Sequence, residues 1–267
     1  MLRWIPLLVL GFCLSACTEP TDAPAVSTPA QTDSDSPHGD PIEAALSHAE
    51  RLAGDAAEDE WRKPAEVLRL LDARPGMKVI DYFAGGGYYT ELLSRIVGPQ
   101  GQVIAYNNPP YQKFAGEKPE ERYGDERLPN VAQLTIAPED LPLEPESLDA
   151  ALFVNSYHDL HWRSKDGSWP DTDPEGALAK LAEAMKPGAT VVVVDHVAQA
   201  ESDPAVSVDA LHRIDPDVIK RDFAAAGFEL VTESTALRNS EDDHTLLVFD
   251  PKIRHQTDRV ILKFVKR

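Results

Sequence analysis

The stretch KVIDYFAGGGYYTELLSRIV, residues 78–97, decides the fold. Its apolar start, residues 78–81, predicts a buried β-strand, and three consecutive glycines follow at residues 85–87. Residues 87–97 carry apolar side chains at helical spacing and predict an α-helix, which Gly98-Pro99 ends. A strand, a glycine turn and a helix in this order are typical of the ligand-binding edge of a parallel α/β sheet.

Strands and helices alternate through the rest of the chain. Two nearly continuous apolar runs, residues 148–154 and 190–195, predict strands that are covered on both faces. Apolar periodicity predicts helices over residues 42–52, 64–71, 175–185 and 217–226, and strands over residues 102–106, 131–136, 228–232 and 259–265. This alternation predicts a mostly parallel sheet in a three-layer, Rossmann-like α/β domain over residues 41–267.

The composition excludes several kinds of partner. The chain has 26 Lys and Arg against 45 Asp and Glu, a formal net charge of −19. Because nucleic-acid binding depends on clustered basic side chains, we expect no nucleic-acid partner. The same excess of negative charge argues against attraction to anionic lipid headgroups.

The N-terminal segment, residues 1–17, has the features of an export signal. Arg3 precedes an apolar run, residues 5–14, that is shorter than the roughly 20 residues needed to span a bilayer. The run ends in Leu-Ser-Ala-Cys at Cys17, which resembles the bacterial lipobox and implies that Cys17 is lipidated after cleavage. A plain signal peptide or a buried strand are the alternative interpretations.

The residues after Cys17 support an anchored, exported domain. Thr18 stands where retention at the inner membrane usually shows Asp, which favours the outer membrane. Residues 18–40 are rich in Pro, Ser, Thr and Asp, so they predict a disordered linker. We expect the lipid anchor to be the contact with the membrane. No cysteine remains after Cys17 for a disulfide or a zinc cluster.

The glycine loop is the first candidate binding site. It fails the dinucleotide fingerprint G-x-G-x-x-G because Thr90 takes the third glycine position. Asp81, Gly85 and Gly87 instead resemble motif I, D-x-G-x-G-x-G, of the class I S-adenosylmethionine-dependent methyltransferases. The order and spacing of the segments LDAALFVNSYHDLHW, AMKPGATVVVVDH and TDRVILKF are similar to predicted exported methyltransferases of Gram-negative bacteria.

The resemblance implies a seven-stranded sheet with an antiparallel last strand, and S-adenosylmethionine as the cofactor. The candidate cofactor contacts are Asp81, Gly85, Gly87, Tyr89, Asn107, Asp140 and Asn155. Three positions depart from the family pattern. Phe83 replaces the first glycine, Asn107 replaces the acid that accepts the ribose hydroxyls, and Ala137 replaces an Asp that faces the adenine. Asp140 substitutes for that Asp only if its loop runs differently.

Residues 108–111 spell NPPY, a motif with which amino-methyltransferases hold the acceptor nitrogen. In that group the motif follows the fourth strand, whereas here it follows the second. We therefore interpret it as a rigid Pro-Pro loop.

Histidines gather at the ends of the fourth and fifth strands. His158 and Asp159 follow one strand, His196 ends the next, and His212 comes shortly after. Imidazole suits proton transfer near neutral pH, and a neighbouring carboxylate can fix its tautomer. We predict His158 with Asp159 as the catalytic base, and His196 or His212 as the next candidate. A packed structural role for single histidines and a metal site that also includes His161 stay open.

The sequence leaves three functions open. The first is a lipid-anchored methyltransferase acting on a small molecule or an envelope component. The second is a non-catalytic envelope protein, since no supply of S-adenosylmethionine is evident beyond the inner membrane. The third is a metal-assisted hydrolase. Residues 237–257, between the last two strands, form either a lid with His244 or Arg254 reaching in, or a surface loop. The oligomeric state is not predicted.

Overall fold

The structure is a computed structural model and describes residues 39–267. The predicted signal peptide, the lipidation of Cys17 and nearly all of the predicted linker, residues 18–40, lie outside the described residues. Over residues 39–267, no helix is both long enough and apolar enough to cross a membrane.

The described residues form a seven-stranded sheet in the order β3-β2-β1-β4-β5-β7-β6. The strands from β3 to β5 run parallel, and β7 lies antiparallel between β5 and β6. The predicted fold class is therefore confirmed, including its antiparallel last strand. The strands are β1 (Lys78–Tyr82), β2 (Gln102–Asn107), β3 (Val131–Thr135), β4 (Leu148–Val154), β5 (Met185–His196), β6 (Phe228–Ser234) and β7 (Arg259–Lys266).

Helices cover both faces of the sheet. Many begin at a proline, whose missing N–H and fixed φ suit the first turn, and several are capped by an Asp or Asn side chain. The described helices are α1 (Pro41–Leu46), α2 (Asp55–Arg62), α3 (Pro64–Leu71), α4 (Tyr88–Val97), α5 (Pro109–Ala115), α6 (Lys118–Tyr123), α7 (Pro174–Ala184), α8 (Pro204–Leu211) and α9 (Pro216–Ala225).

The core has two layers because strand side chains alternate between the faces of the sheet. Val79 of β1 packs in a cluster with residues of α3 and α4, while the next residue, Ile80, packs in a cluster with residues of α7 and α9. Burial on both faces explains why the central strands read as continuous apolar runs. The strand order reverses between β1 and β4, which places the expected ligand crevice beyond their carboxyl ends.

Several helices differ from the sequence predictions. The helix predicted over residues 42–52 ends at Leu46, and α2, α6 and α8 were not predicted. The interpretation of residues 108–111 as a Pro-Pro loop was wrong, because they start α5. The side chain of Asn108 accepts a hydrogen bond from the backbone N–H of Tyr111 at 2.8 Å, and the two prolines fill the first turn.

Candidate functional site

The glycine loop joins β1 to α4 above a buried carboxyl group. Asp81 accepts a hydrogen bond of 2.6 Å from the hydroxyl of Thr90. Burial raises the pKa of Asp81 to about 6, although the hydrogen bonds from Thr90 oppose this shift. Phe83, where the family motif has glycine, has a left-handed φ of 57°. Its ring stacks on that of Tyr111 with centroids 5.0 Å apart.

Residues 109–123, which we name the covering segment, lie against the three glycines. A Cβ atom built on Gly85 would lie 3.7 Å from the ring of Tyr111, and one on Gly86 would lie 2.9 Å from Cδ of Lys118. A Cβ on Gly87 would collide with the hydroxyl of Tyr123. The space that the glycines leave free is therefore filled by side chains of the same chain.

Arg122 fastens the covering segment to the loop. Its Nε donates to the carbonyl of Gly86 at 2.6 Å, and its guanidinium pairs with Asp55 at 2.7 Å and Glu91 at 2.5 Å. Arg122 and Glu91 are almost fully buried. Burial opposes the ionisation of Glu91, but hydrogen bonds from Arg127 and other arginines outweigh it and lower its pKa to about 2.

The other predicted cofactor contacts on this side lie in different surroundings. Asn107 accepts from the N–H of Gly85 at 2.9 Å and donates to the carbonyl of Gly85 at 3.2 Å, so its amide braces the loop. Tyr89 is buried, and its hydroxyl donates to the carbonyl of Arg62 at the end of α2. Asp140 is exposed after β3. Asn155, at the end of β4, has a φ of 54° and a buried Oδ1 without a hydrogen-bond partner.

The structure brings three of the predicted catalytic residues together. His158 and Asp159 lie in a short 3-10 helix after β4, and His212 follows α8. Asp159 Oδ1 lies 3.4 Å from His158 Nε2 and 3.6 Å from His212 Nδ1. We name His158, Asp159 and His212 the His–Asp cluster. Asp195, at the end of β5, holds the other ring nitrogen of His158 at 2.7 Å.

The electrostatics of the cluster distinguish its members. Burial disfavours the charged form of His158, but the carboxylates of Asp159 and Asp195 outweigh burial and raise its pKa to about 9. The raised pKa favours the protonated form of His158 at neutral pH. Asp159 is only 5 % exposed. Among these groups, Asp159 Oδ1 is the buried acceptor oxygen without a hydrogen-bond partner.

Two further histidines lie outside the cluster. The ring of His196 lies 6.1 Å from that of His158, and its Nδ1 contacts the hydroxyl of Thr257 at 2.8 Å. Burial and the neighbouring charged His158 keep the pKa of His196 well below its usual value. His161 Nε2 lies 2.9 Å from the carboxylate of Asp222. The four-histidine metal site that the sequence left open is therefore not assembled.

Aromatic side chains border the cluster and are absent from the predicted site residues. Burial, and then the carboxylates of Asp159 and Asp195, hold the pKa of Tyr111 well above its usual value. The ring of Tyr111 lies against Gly85 and 5.7 Å from the ring of Trp169, whose indole N–H donates to the backbone carbonyl of Asp159 at 3.0 Å. These contacts connect the glycine loop to the cluster. The rings of Trp162 and Phe249 lie 4.7 and 5.3 Å from that of His212.

Phe249 belongs to the 237–257 insertion and lies beside the cluster. His244 and Arg254, the two side chains that a lid would have brought in, lie elsewhere. His244 contacts Asp258 at 3.0 Å, and Arg254 is exposed. A single Phe within the mostly polar residues 237–257 is the sequence feature that could have indicated a contact between Phe249 and the site.

Comparisons with known proteins agree with this architecture. No protein-family model matches the chain. It is 30% identical over 130 residues to the ubiquinone/menaquinone biosynthesis C-methyltransferase UbiE of Shewanella halifaxensis, covering 48% of this chain and 46% of that protein. The chain therefore spans just under half the length of this curated relative. Over a short stretch of 44 residues it is 48% identical to a protein-L-isoaspartate O-methyltransferase of Aeropyrum pernix, covering 16% of this chain and 17% of that protein.

Solved structures share the fold at lower identity. An S-adenosylmethionine-dependent methyltransferase from Aquifex aeolicus is similar over 79% of this chain and 98% of its own, with a TM-score of 0.55 and 18% identity. The [4+2]-cyclase SpnF is similar over 81% of this chain and 84% of its own, with a TM-score of 0.56 and 18% identity. One fold thus carries two differently named activities. The seven-stranded topology and these similarities give the chain the class I methyltransferase fold.

Proposed function

We propose that the protein is an S-adenosylmethionine-dependent methyltransferase that acts on a small molecule. The observation that carries the proposal is the glycine loop at the switch point of the sheet, in a chain similar over 130 residues to a C-methyltransferase. The His–Asp cluster lies after β4 on the same edge of the sheet, where an acceptor would meet the cofactor.

The site has polar groups of the types that bind S-adenosylmethionine, but the covering segment has to move before the cofactor can bind. The backbone of residues 85–87 and the unpartnered amide oxygen of Asn155 are the groups that would hold it. Tyr111, Lys118 and Tyr123 fill the space beside the glycines in the described conformation. All three belong to one connection between β2 and β3, so a single displacement would clear the loop.

The His–Asp cluster would prepare the acceptor. Bound S-adenosylmethionine supplies an electrophilic methyl group, and the acceptor must offer it a lone pair. Asp159 Oδ1 takes the proton from an acceptor hydroxyl or ammonium, while protonated His158 holds the carboxylate in place. His212, with a half-buried ring, positions the acceptor at the mouth of the cluster.

The cofactor is tested by calorimetric titration of the full chain with S-adenosylmethionine and S-adenosylhomocysteine. We expect micromolar binding, about −8 kcal/mol. Asp81→Asn, beneath the loop, should weaken binding at least about tenfold, a loss of about 1.4 kcal/mol. Asp149→Asn, which alters a carboxylate near the start of β4 at the opposite edge, should leave it unchanged.

The filled glycine loop favours a second candidate, a non-catalytic envelope protein that retains the fold. In this alternative, the covering segment is a permanent part of the structure. Absence of binding at millimolar S-adenosylmethionine and S-adenosylhomocysteine would support it and would overturn the cofactor proposal.

The exported location is also a proposal, and it is supported by the lipobox-like residues 14–17. In a Gram-negative host, Cys17 would be labelled by radioactive palmitate and the protein would fractionate with the outer membrane. Cys17→Ser should abolish both the label and the membrane association. An unlabelled wild-type protein would contradict the anchor and leave the methyltransferase proposal untouched. An envelope component as acceptor depends on this location.

A further inference from the structure

We propose that the His–Asp cluster is a binding site for one divalent transition-metal ion, of which Zn²⁺ is the best match. The ligands are His158 Nε2, Asp159 Oδ1 and His212 Nδ1, and these three atoms lie within 4.8 Å of one another. When the ion binds, it displaces the proton from His158 Nε2 to solvent, and Asp159 Oδ1 is then a ligand and no longer a base. The proposal stands on their geometry and is independent of S-adenosylmethionine.

The distances within the cluster match a metal site. Zinc bonds of about 2.0–2.1 Å place neighbouring ligand atoms of a tetrahedron about 3.3 Å apart. Asp159 Oδ1 lies 3.4 Å from His158 Nε2 and 3.6 Å from His212 Nδ1. Both contacts are longer than ordinary hydrogen bonds to a carboxylate, so an ion fits them better than a proton does.

The unpartnered carboxylate oxygen of Asp159 indicates a ligand. Its Oδ1 is a buried oxygen without a hydrogen-bond partner, and a buried carboxylate oxygen in this state is costly. A cation between this oxygen and the two imidazoles would satisfy it. The three ligands arise from two separated segments, the 3-10 helix after β4 and the residue after α8, so the tertiary fold assembles them.

The hydrogen bonds that orient His158 are those that a metal-binding histidine usually makes. His158 directs its Nδ1 at Asp195 Oδ1 at 2.7 Å, and the backbone N–H of His158 donates to Asp195 Oδ2 at 2.8 Å. A carboxylate on the far nitrogen of a metal-binding histidine fixes the ring and the tautomer. Asp195 is fully buried.

Three protein ligands leave a fourth coordination position open. Such a position is the mark of a catalytic rather than a structural zinc site. The aromatic rings of Trp162 and Phe249 lie beside His212, so a molecule bound at the open position would meet apolar surface and would offer the ion an oxygen or nitrogen donor. Bound there, a hydroxyl would lose its proton more readily than in water.

The test is titration of the chelator-stripped full chain with Co²⁺ and Zn²⁺, without S-adenosylmethionine. We expect one ion per chain at micromolar affinity or tighter, and for Co²⁺ the visible d–d absorption of a four-coordinate site with nitrogen ligands. His212→Asn should weaken binding by more than about 100-fold, and Asp195→Asn by about 10- to 100-fold. Asn is chosen because His212 has a left-handed φ of 51°, which Asn tolerates.

The matched control is His48→Asn, which alters an exposed histidine near α1 and should leave affinity and spectrum unchanged. Asp159→Asn is a second ligand variant, and circular dichroism verifies that each variant is folded. Equal affinity in the wild type and in a folded ligand variant would overturn the proposal, as would a wild type without saturable binding below millimolar metal. Because the metal titration contains no S-adenosylmethionine, its failure is distinguishable from failure of the cofactor titration.

Discussion

Beyond the carboxyl ends of the strands, the region next to β1 and β2 differs from the region next to β4 and β5. Beside β1 and β2, the covering segment fills the space at the glycines and Arg122 pairs with two acids. Beyond β4, Asn155 Oδ1 and Asp159 Oδ1 are buried without partners. The first region pairs its buried charges internally, although the hydroxyls of Tyr82, Tyr106 and Tyr123 have no hydrogen-bond partner. In the second region, the unpartnered atoms include a charged carboxylate oxygen, which awaits a ligand.

The comparison separates stability from function. Internally paired charges hold the structure together, and removing one partner leaves the other buried and uncompensated. Unpartnered buried atoms cost stability and persist where a ligand uses them. We therefore expect loss of a charge pair near the glycine loop to alter folding most, and loss of a ligand in the His–Asp cluster to alter binding most.

The largest effect is expected for Arg122→Ala. This change removes the partner of buried Asp55 and Glu91 and the donor to the carbonyl of Gly86, so the free energy of unfolding should fall by about 3 kcal/mol or more. Urea unfolding measures this loss. Arg221→Ala, which removes a mostly exposed arginine that pairs with Asp222, is the control and should have little effect. Equal losses in the two variants would contradict the role of Arg122.

Next in size is the pH dependence of Asp81→Asn. Because burial raises the pKa of Asp81 from 3.8 to about 6, its folded state binds a proton that the unfolded state has lost. The contribution of protonated Asp81 to the free energy of unfolding is complete below about pH 4 and is lost as the pH rises through 6. The charges of Arg62 and Arg122 lower the pKa of Asp81, but burial outweighs them. Asp81→Asn should therefore match the wild type at pH 4.

At pH 8, Asp81→Asn should be more stable than the wild type by up to about 3 kcal/mol. Thermal or urea unfolding at both pH values measures the difference. Greater stability of the wild type at pH 8 would show that the hydrogen bond from Thr90 outweighs burial.

The sequence predicts one of these regions better than the other, for physical reasons. The sheet follows from apolar runs, and the cluster follows because His158 and His212 belong to segments that meet beyond β4 and β5. The sequence does not predict the covering segment, because the position of this segment depends on the pairing of Arg122 with Asp55, 67 residues away in the chain. Its helices are polar and short, so periodicity does not reveal them.

His161 shows a second limit of sequence reasoning. It lies three residues from His158 in the same 3-10 helix, yet it contacts Asp222 of α9 and not the cluster. Residue spacing alone left open a metal site that both imidazoles share. The direction of each side chain depends on the acids that pack against it, and those acids come from distant parts of the chain.

A smaller effect, on binding, should follow from Tyr123→Ala. The hydroxyl of Tyr123 occupies the position that a side chain at Gly87 would take, so removing the ring lessens what a cofactor must displace. We expect S-adenosylhomocysteine to bind about tenfold tighter, a gain of about 1.4 kcal/mol. Phe114→Ala, which alters a 76 % exposed ring of α5, is the control and should leave affinity unchanged. Unchanged affinity in Tyr123→Ala would mean that the cofactor does not use this space.

The smallest effect is expected for Asn155→Gly, beyond β4. Glycine adopts the left-handed φ of 54° without strain, and the change removes a buried oxygen that has no partner. The free energy of unfolding should change by less than about 1 kcal/mol, whereas Asn155→Ala, whose Cβ disfavours this conformation, should be about 1 kcal/mol less stable than the glycine variant. Urea unfolding of the Asn155→Gly and Asn155→Ala variants separates the effect of backbone strain from the effect of losing the amide. A loss above about 2 kcal/mol in Asn155→Gly would mean that the amide oxygen is satisfied in the folded protein, and the contrast between the two regions would then rest on Asp159 alone.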